Sequence, residues 1–180
     1  MYLFLRTFFF VAFASALATG SALEVNRGQF ASDVLFVANN GSASTAITAS
    51  GIAFRSRGQN ISLRLDRARL DECASDSPLE SEANHLGHTP PLLHVPGYSS
   101  VICRDIYPGI DWLIRTTGGR VEHDWRVAAG ADAGKIRLTL DGGTSAQITP
   151  GGDLLLQSNG LTVIWKAPAA YQIVEGASTR

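Results

Sequence analysis

Lysine is almost missing from this chain. Lys135 and Lys166 are its only lysines among 15 basic residues, and the formal net charge is −1. The electrostatic footprint of a nucleic-acid binder is therefore lacking. The densest basic stretch, Arg64, Arg67 and Arg69, is interleaved with Asp66 and Asp71 and reads as a solvated strand end. No Cys-x-x-Cys occurs, which excludes zinc ribbons and thioredoxin chemistry. There is no G-x-S-x-G, H-E-x-x-H, G-x-x-x-x-G-K-[ST] or G-x-G-x-x-G. The nucleophile elbow, the zinc-protease helix, the phosphate loop and the dinucleotide turn thus lack their anchoring residues. No D-x-D-x-D-G calcium loop is present, and Asp141-Gly142 and Gly152-Asp153 read as turns. Beyond residue 22 no apolar run is long enough to span a bilayer as a helix. No 20–50-residue repeat is visible.

What remains is a globular composition: 180 residues, 45% hydrophobic and 17% charged, with 18 glycines. That is enough for one domain with its own core. The first 22 residues differ in kind. MYLFLRTFFFVAFASALATGSA places Arg6 before an apolar run from Thr7 to Leu17, followed by small residues. This is the pattern of a secretory signal peptide over residues 1–22, with cleavage near Ala18 or Ala22. An uncleaved anchor is the alternative, although the run is short for a membrane span. The mature chain is expected to start near Leu23, to be secreted, extracellular or periplasmic, and to have no membrane contact after cleavage. In such a compartment Cys73 and Cys103 have two readings. They form a disulfide closing a loop of about 30 residues, worth roughly 3–4 kcal/mol, or they are two thiols, Cys103 being a small strand residue.

A period of two dominates after residue 30. ISLRLD sets Ile61, Leu63 and Leu65 on one face; KIRLTL does so with Ile136, Leu138 and Leu140, and LTVIWK with Leu161, Val163 and Trp165. Glycine turns separate these runs. Asn159-Gly160, between DLLLQS and LTVIWK, predicts a type I′ hairpin turn. Residues 135–166 read as a meander of three or four antiparallel strands, and residues 45–56 as a shorter hairpin. Residues 67–97, polar and proline-containing, read as a long irregular insertion, with a short helical turn over 67–73.

The stretch YPGIDWLIRTTGGRVEHDWR (107–126) gathers Asp111, Glu122, His123 and Asp124. Carboxylates beside a histidine suit acid–base chemistry or a metal. A two-residue turn at Gly118-Gly119 gives another account. It pairs Arg115 with Glu122 and Asp111 with Arg126 on one face, and Ile114 with His123 and Trp112 with Trp125 on the other. Such pairs contribute roughly 0.2–1 kcal/mol each, and His123 then belongs to the core side. His85, His88 and His94 are weak metal candidates, because their spacing fits no standard site. Trp112, Trp125 and Trp165 are candidate sugar-stacking platforms if they face solvent.

Seven phrases then occur in order: EVNRGQFASDVLFVA, NHLGH, HVPGYSSVICRDIYPGID, VEHDWRVAAGAD, KIRLTLDG, GDLLL and APAAYQIVEG. Together they resemble the N-terminal all-β domain of unknown function (DUF7948-type) of bacterial exported proteins that often carry SBBP repeats, which are β-propeller-type. Where that family has Glu-Tyr-Asp-Phe, this chain has His123 for the tyrosine and Trp125 for the phenylalanine. The family pattern also continues past its Tyr-Gln…Gly phrase, so either the product is shortened or the sheet is incomplete at its C-terminal end. The fold expected is an antiparallel β-sandwich or related two-sheet all-β domain over residues 23–180, with a partly open barrel as the alternative. The function expected is that of an exported, non-catalytic structural or interaction module with an unknown protein or glycan partner at the cell surface and no cofactor. The alternatives are a carbohydrate-binding module using the tryptophans and a hydrolase using Asp111, Glu122 and Asp124.

Overall fold

The computed structural model describes residues 2–11, 22–174 and 177–179. The expected cleavage position at Ala18, and Gly176 of the last family phrase, lie outside the described residues. The chain is all-β, with a large curled antiparallel sheet and a second, smaller one. Its strands are β1 (Tyr2–Val11), β2 (Leu23–Val25), β3 (Val34–Asn40), β4 (Ala43–Thr48), β5 (Gly51–Ser56), β6 (Gln59–Leu65), β7 (Cys73–His85) and β8 (Leu92–Tyr107). They continue with β9 (Ile110–Thr117), β10 (Arg120–Ala128), β11 (Leu138–Leu140), β12 (Ser145–Ile148), β13 (Leu154–Ser158), β14 (Leu161–Trp165), β15 (Ala169–Val174) and β16 (Ala177–Thr179). Among the described residues no helix is long and apolar enough to cross a membrane.

Short turns explain why neighbours in sequence pair. Arg57-Gly58, Gly118-Gly119 and Asn159-Gly160 all have positive φ at both central positions, the type I′ geometry whose twist matches the flanking strands. Each joins two antiparallel strands, β5–β6, β9–β10 and β13–β14. Gly51 serves closeness as well as turning, for a Cβ there would sit 2.2 Å from the Leu63 carbonyl oxygen. The main sheet runs β11-β6-β5-β4-β3-β2-β8-β9-β10-β1, and β14-β13-β12 continues from β1. Its curl brings β13 and β14 over β6. Leu156, Leu161, Val163 and Trp165 thereby join Ile61, Leu63, Trp112 and Trp125 in one buried cluster. Burial of each such side chain contributes roughly 1.5–3 kcal/mol.

The structure departs from the sequence reading in two places. Residues 67–97 are not an irregular insertion. Most of them form β7 and the first part of β8, an antiparallel hairpin with shifts in register near Pro78 and Ala83. β7 is exposed along nearly its whole length, so it has no apolar face for a period of two to reveal. The segment before it is a turn rather than a helical one, with Arg67 at φ 57°. Second, the expected 135–166 meander loses its first strand: β11 pairs with β6, and only β12, β13 and β14 run consecutively. Ile136 caps a short 3-10 turn, Ala133–Lys135, that redirects the chain. The start of the expected leader forms β1, antiparallel to β10.

Cys73 and Cys103 stand opposite one another on β7 and β8 and are joined by a disulfide, 30 residues apart in sequence. The bridge ties exposed β7 to β8 at the buried Cys103. The C73A/C103A double variant is expected to lose about 3 kcal/mol of unfolding free energy, read as a lower urea midpoint at unchanged slope. An unchanged midpoint would mean that the bridge adds nothing to stability.

Candidate functional site

The β9–β10 hairpin carries most of the chemistry-bearing side chains. Its register pairs Arg115 with Glu122, Leu113 with Asp124, Asp111 with Arg126, Ile114 with His123 and Trp112 with Trp125. On the outer face the acids meet arginines. Arg126 donates to Asp111 through Nε at 3.0 Å and through its terminal nitrogen. Arg115 does not turn to its cross-strand partner Glu122; its guanidinium pairs diagonally with Asp124. The reason is burial. Asp124 is 1% exposed, and a carboxylate at that depth requires a cation, whereas half-buried Glu122 can be solvated.

Asp111 also orders the link into the hairpin. Its Oδ1 accepts the Asp105 amide at 2.9 Å, and Asp105 Oδ1 accepts the Gly109 amide at 2.8 Å. Asp105 itself sits at φ 46°, and these two bonds hold it there. At Gly109 a Cβ would come 2.9 Å from that of Ala131. The Asp-Ile-Tyr-Pro-Gly-Ile-Asp phrase is thus a tight turn between the end of β8 and the start of β9, clamped by its own two aspartates.

The inner face is an aromatic pack. Trp112 and Trp125 stack with ring centroids 5.3 Å apart and planes 14° from parallel. His123, fully buried, meets Trp112, Trp125 and Trp165 edge-on at 6.0, 5.3 and 5.0 Å. Trp112 Nε1 donates to His123 Nδ1 at 2.9 Å. That bond requires Nδ1 to be unprotonated, so the imidazole is neutral. Burial pushes it in the same direction, down to about 3 from an ordinary 6.5. An imidazole with that bond and that burial is a core packing element, not a proton shuttle at neutral pH.

The remaining candidates do not converge. The tryptophans proposed as sugar platforms, Trp112, Trp125 and Trp165, are 1%, 3% and 6% exposed. No ring face is open for stacking, because alternation in β9, β10 and β14 turns each one inward. His85 bonds Glu24 at 2.8 Å and His94 bonds Glu82 at 2.6 Å. The His88 ring lies edge-on to His85 at 6.2 Å. Among the described residues no group of three or more His, Cys, Asp or Glu side chains is gathered as a metal site requires. A groove of about 750 Å³ runs beside the first loop, lined by Val25, Asn26, Phe30, Leu35, Leu70 and Cys73 among others.

That loop was legible only as part of a phrase. Asn26 is its organiser: Nδ2 donates to the carbonyls of Ala31 and Val34 at 2.8 Å, and Oδ1 accepts the amides of Gly28 and Phe30 at 2.9 and 3.2 Å. Gln29 accepts the Arg27 amide at 2.6 Å and donates to the Val25 carbonyl at 2.8 Å. Asn-x-Gly-Gln therefore closes on itself. Its amides serve the backbone rather than a ligand in the adjoining groove.

These features define an all-β domain whose signature residues hold loops and a hairpin in place. A family model described as a domain of unknown function (DUF7948) matches residues 23–180. The chain belongs to that family. No curated protein and no solved structure matches it.

The buried imidazole gives the domain a pH dependence of definite sign. Between pH about 3 and 6.5 the unfolded chain binds a proton that folded His123 refuses. Its contribution to stability is therefore complete above pH 6.5 and is lost as pH falls toward about 3, by up to about 1.4 kcal/mol per pH unit. Urea titrations of wild type and His123→Phe across this range are expected to differ by that slope. Parallel curves would show that His123 takes up its proton without unfolding.

Proposed function

We propose that the chain is an exported, non-catalytic structural or interaction module that works at or outside the cell surface through its β-surface. The observation that carries this reading is the condition of the hairpin. Asp111 and Asp124 are ion-paired to arginines, His123 is held neutral in the core, and the tryptophans pack inward. A hydrolase needs a carboxylate with freedom to exchange a proton in a cleft. A sugar-binding module needs an exposed aromatic face. What the domain presents outward is sheet surface and strand edge, which recognise partners by strand addition.

Export is supported by the leader-like sequence of residues 1–22 and by the disulfide, a bond that persists in oxidising compartments. The resemblance to domains that precede SBBP repeats supports a place in multi-domain surface proteins, with a protein or glycan as partner. Neither nucleic acid nor, after leader removal, membrane is part of this reading.

The test is a binding and turnover screen with the full chain and the chain starting at Leu23, against cell-surface extract, a glycan panel and common glycoside and peptide substrates. Saturable binding to a surface component is expected, equal in wild type and in a folded Asp111→Asn variant, with no turnover. Glycan binding lost in a folded Trp125→Ala variant would replace this reading with a sugar-binding one. Turnover abolished by Asp111→Asn would replace it with a hydrolase.

A further inference from the structure

β1 holds a singular place in the topology. On one side it lies antiparallel to β10, from Tyr2 opposite Ala128 to Phe8 opposite Glu122. On the other it meets two strands in succession: β15, with Tyr2 opposite Ile173 and Arg6 opposite Ala169, then β14, with Phe9 opposite Trp165 and Val11 opposite Val163. Among the described residues β10 has no direct ladder to β14 or β15. Among the described residues the backbone ladders of the two walls meet only at β1, while beneath it His123 of β10 packs against Trp165 of β14. Take β1 away and three runs of backbone N–H and C=O face each other across a gap one strand wide, about 10 Å between flanking strands. Open backbone of this kind is a template for strand addition.

The gap has a chemical character. Its walls bring Val121, Trp125, Val127 and Trp165, all buried, from β10 and β14. The strand that fills it here, YLFLRTFFFV, is apolar but for Arg6 and Thr7. In the register Arg6 stands opposite Asp124, the buried carboxylate of β10. The same ten residues belong to the segment expected to be cut off on export.

We propose that leader removal opens a strand slot between β10 and the β14–β15 wall, and that this slot is the domain's docking site for a strand donated in trans: an extended, apolar segment of about ten residues with one basic residue opposite Asp124. This rests on the export reading above and names the surface through which it works. The leader serves as the intramolecular occupant until it is cut. The inner face of the walls, with Val121, Trp125, Val127 and Trp165, selects apolar residues at alternate positions of the strand, and the buried acid on the other face selects register, because a shift by one residue would move the basic residue to the opposite face.

The full chain tests this when a specific protease site is placed within residues 12–21 and cut after folding. The fragment bearing residues 2–11 is expected to co-elute with the body on gel filtration. It should exchange, saturably and one to one, for a labelled YLFLRTFFFV peptide carrying a solubilising tail. A peptide with Arg6→Glu is expected to bind at least tenfold more weakly, and one with prolines at Leu5 and Phe9 not at all. Loss of the fragment from a body that keeps its circular dichroism and buried-tryptophan emission would overturn the slot. Equal binding of the Arg6→Glu peptide would overturn the chemistry assigned to its occupant. Dimerisation of the cut body that excludes the peptide would give the slot to a second copy and overturn the proposal. A body that loses the fragment yet binds surface extract sinks the slot alone. One that exchanges the peptide but binds no surface component keeps the slot and sinks the proposed function.

Discussion

The bond from Trp112 to His123 fixes the hairpin on which the rest of the sheet is arranged. Trp112 stacks on Trp125 and donates its indole N–H to a neutral imidazole with no solvent exposure. A slip of β10 by one residue against β9 would turn Trp125 and His123 outward and bring Asp124 or Arg126 into their place. The cost would be that of an unpaired buried polar group added to the lost burial of an indole and an imidazole. Register on the inner face therefore dictates the outer face. Asp111 is set opposite Arg126, and Asp124 within reach of Arg115. The acids that look catalytic in the sequence are consequences of that register.

The loops follow a related rule. Where the chain leaves the ladder, short polar side chains take over the backbone groups that a neighbouring strand would have satisfied. Asn26 and Gln29 do this between β2 and β3; Asp105 and Asp111 do it between β8 and β9. Asn40 reaches further, donating to the Gly119 carbonyl at 2.8 Å and tying the β3–β4 turn to the β9–β10 turn. The phrases that identify the family are largely these loops and this hairpin. Their polar residues are occupied in holding the backbone.

Much of this was legible in the sequence, for physical reasons that differ by element. The β9–β10 register could be written down because a Gly-Gly turn fixes the count and alternation fixes the faces. The Asn159-Gly160 turn was equally plain, since both positions take positive φ readily. The choice of Asp124 over Glu122 by Arg115 was not legible: register makes Glu122 the direct neighbour, and only depth of burial reverses the preference. β7 was missed because a strand exposed on both faces has no period. β11 was misplaced because its pairing with β6 joins Leu138 to Leu65, far apart in sequence, with no local signal. The partners of His85 and His94, Glu24 and Glu82, come from other strands and were equally invisible.

A curled sheet that does not close must end in edges, and the edges here differ in chemistry. β7, which pairs with β8 alone among the described strands, carries Pro78, Glu80 and Glu82 and is exposed throughout its middle. Proline and like charges are the usual guards against edge-to-edge association. β10, which would be an edge without β1, has no proline, and its charges lie on one face only. Its burial alternates Val121, His123, Trp125 and Val127 inward, and its one deeply buried acid, Asp124, lies on the other face. An edge of that composition is stable only when covered. In the chain as it stands β1 covers it, and the aromatic pack that sets the hairpin register also forms one wall of the covered gap. Whatever takes the place of β1 therefore lies against the part of the domain whose register is most firmly fixed.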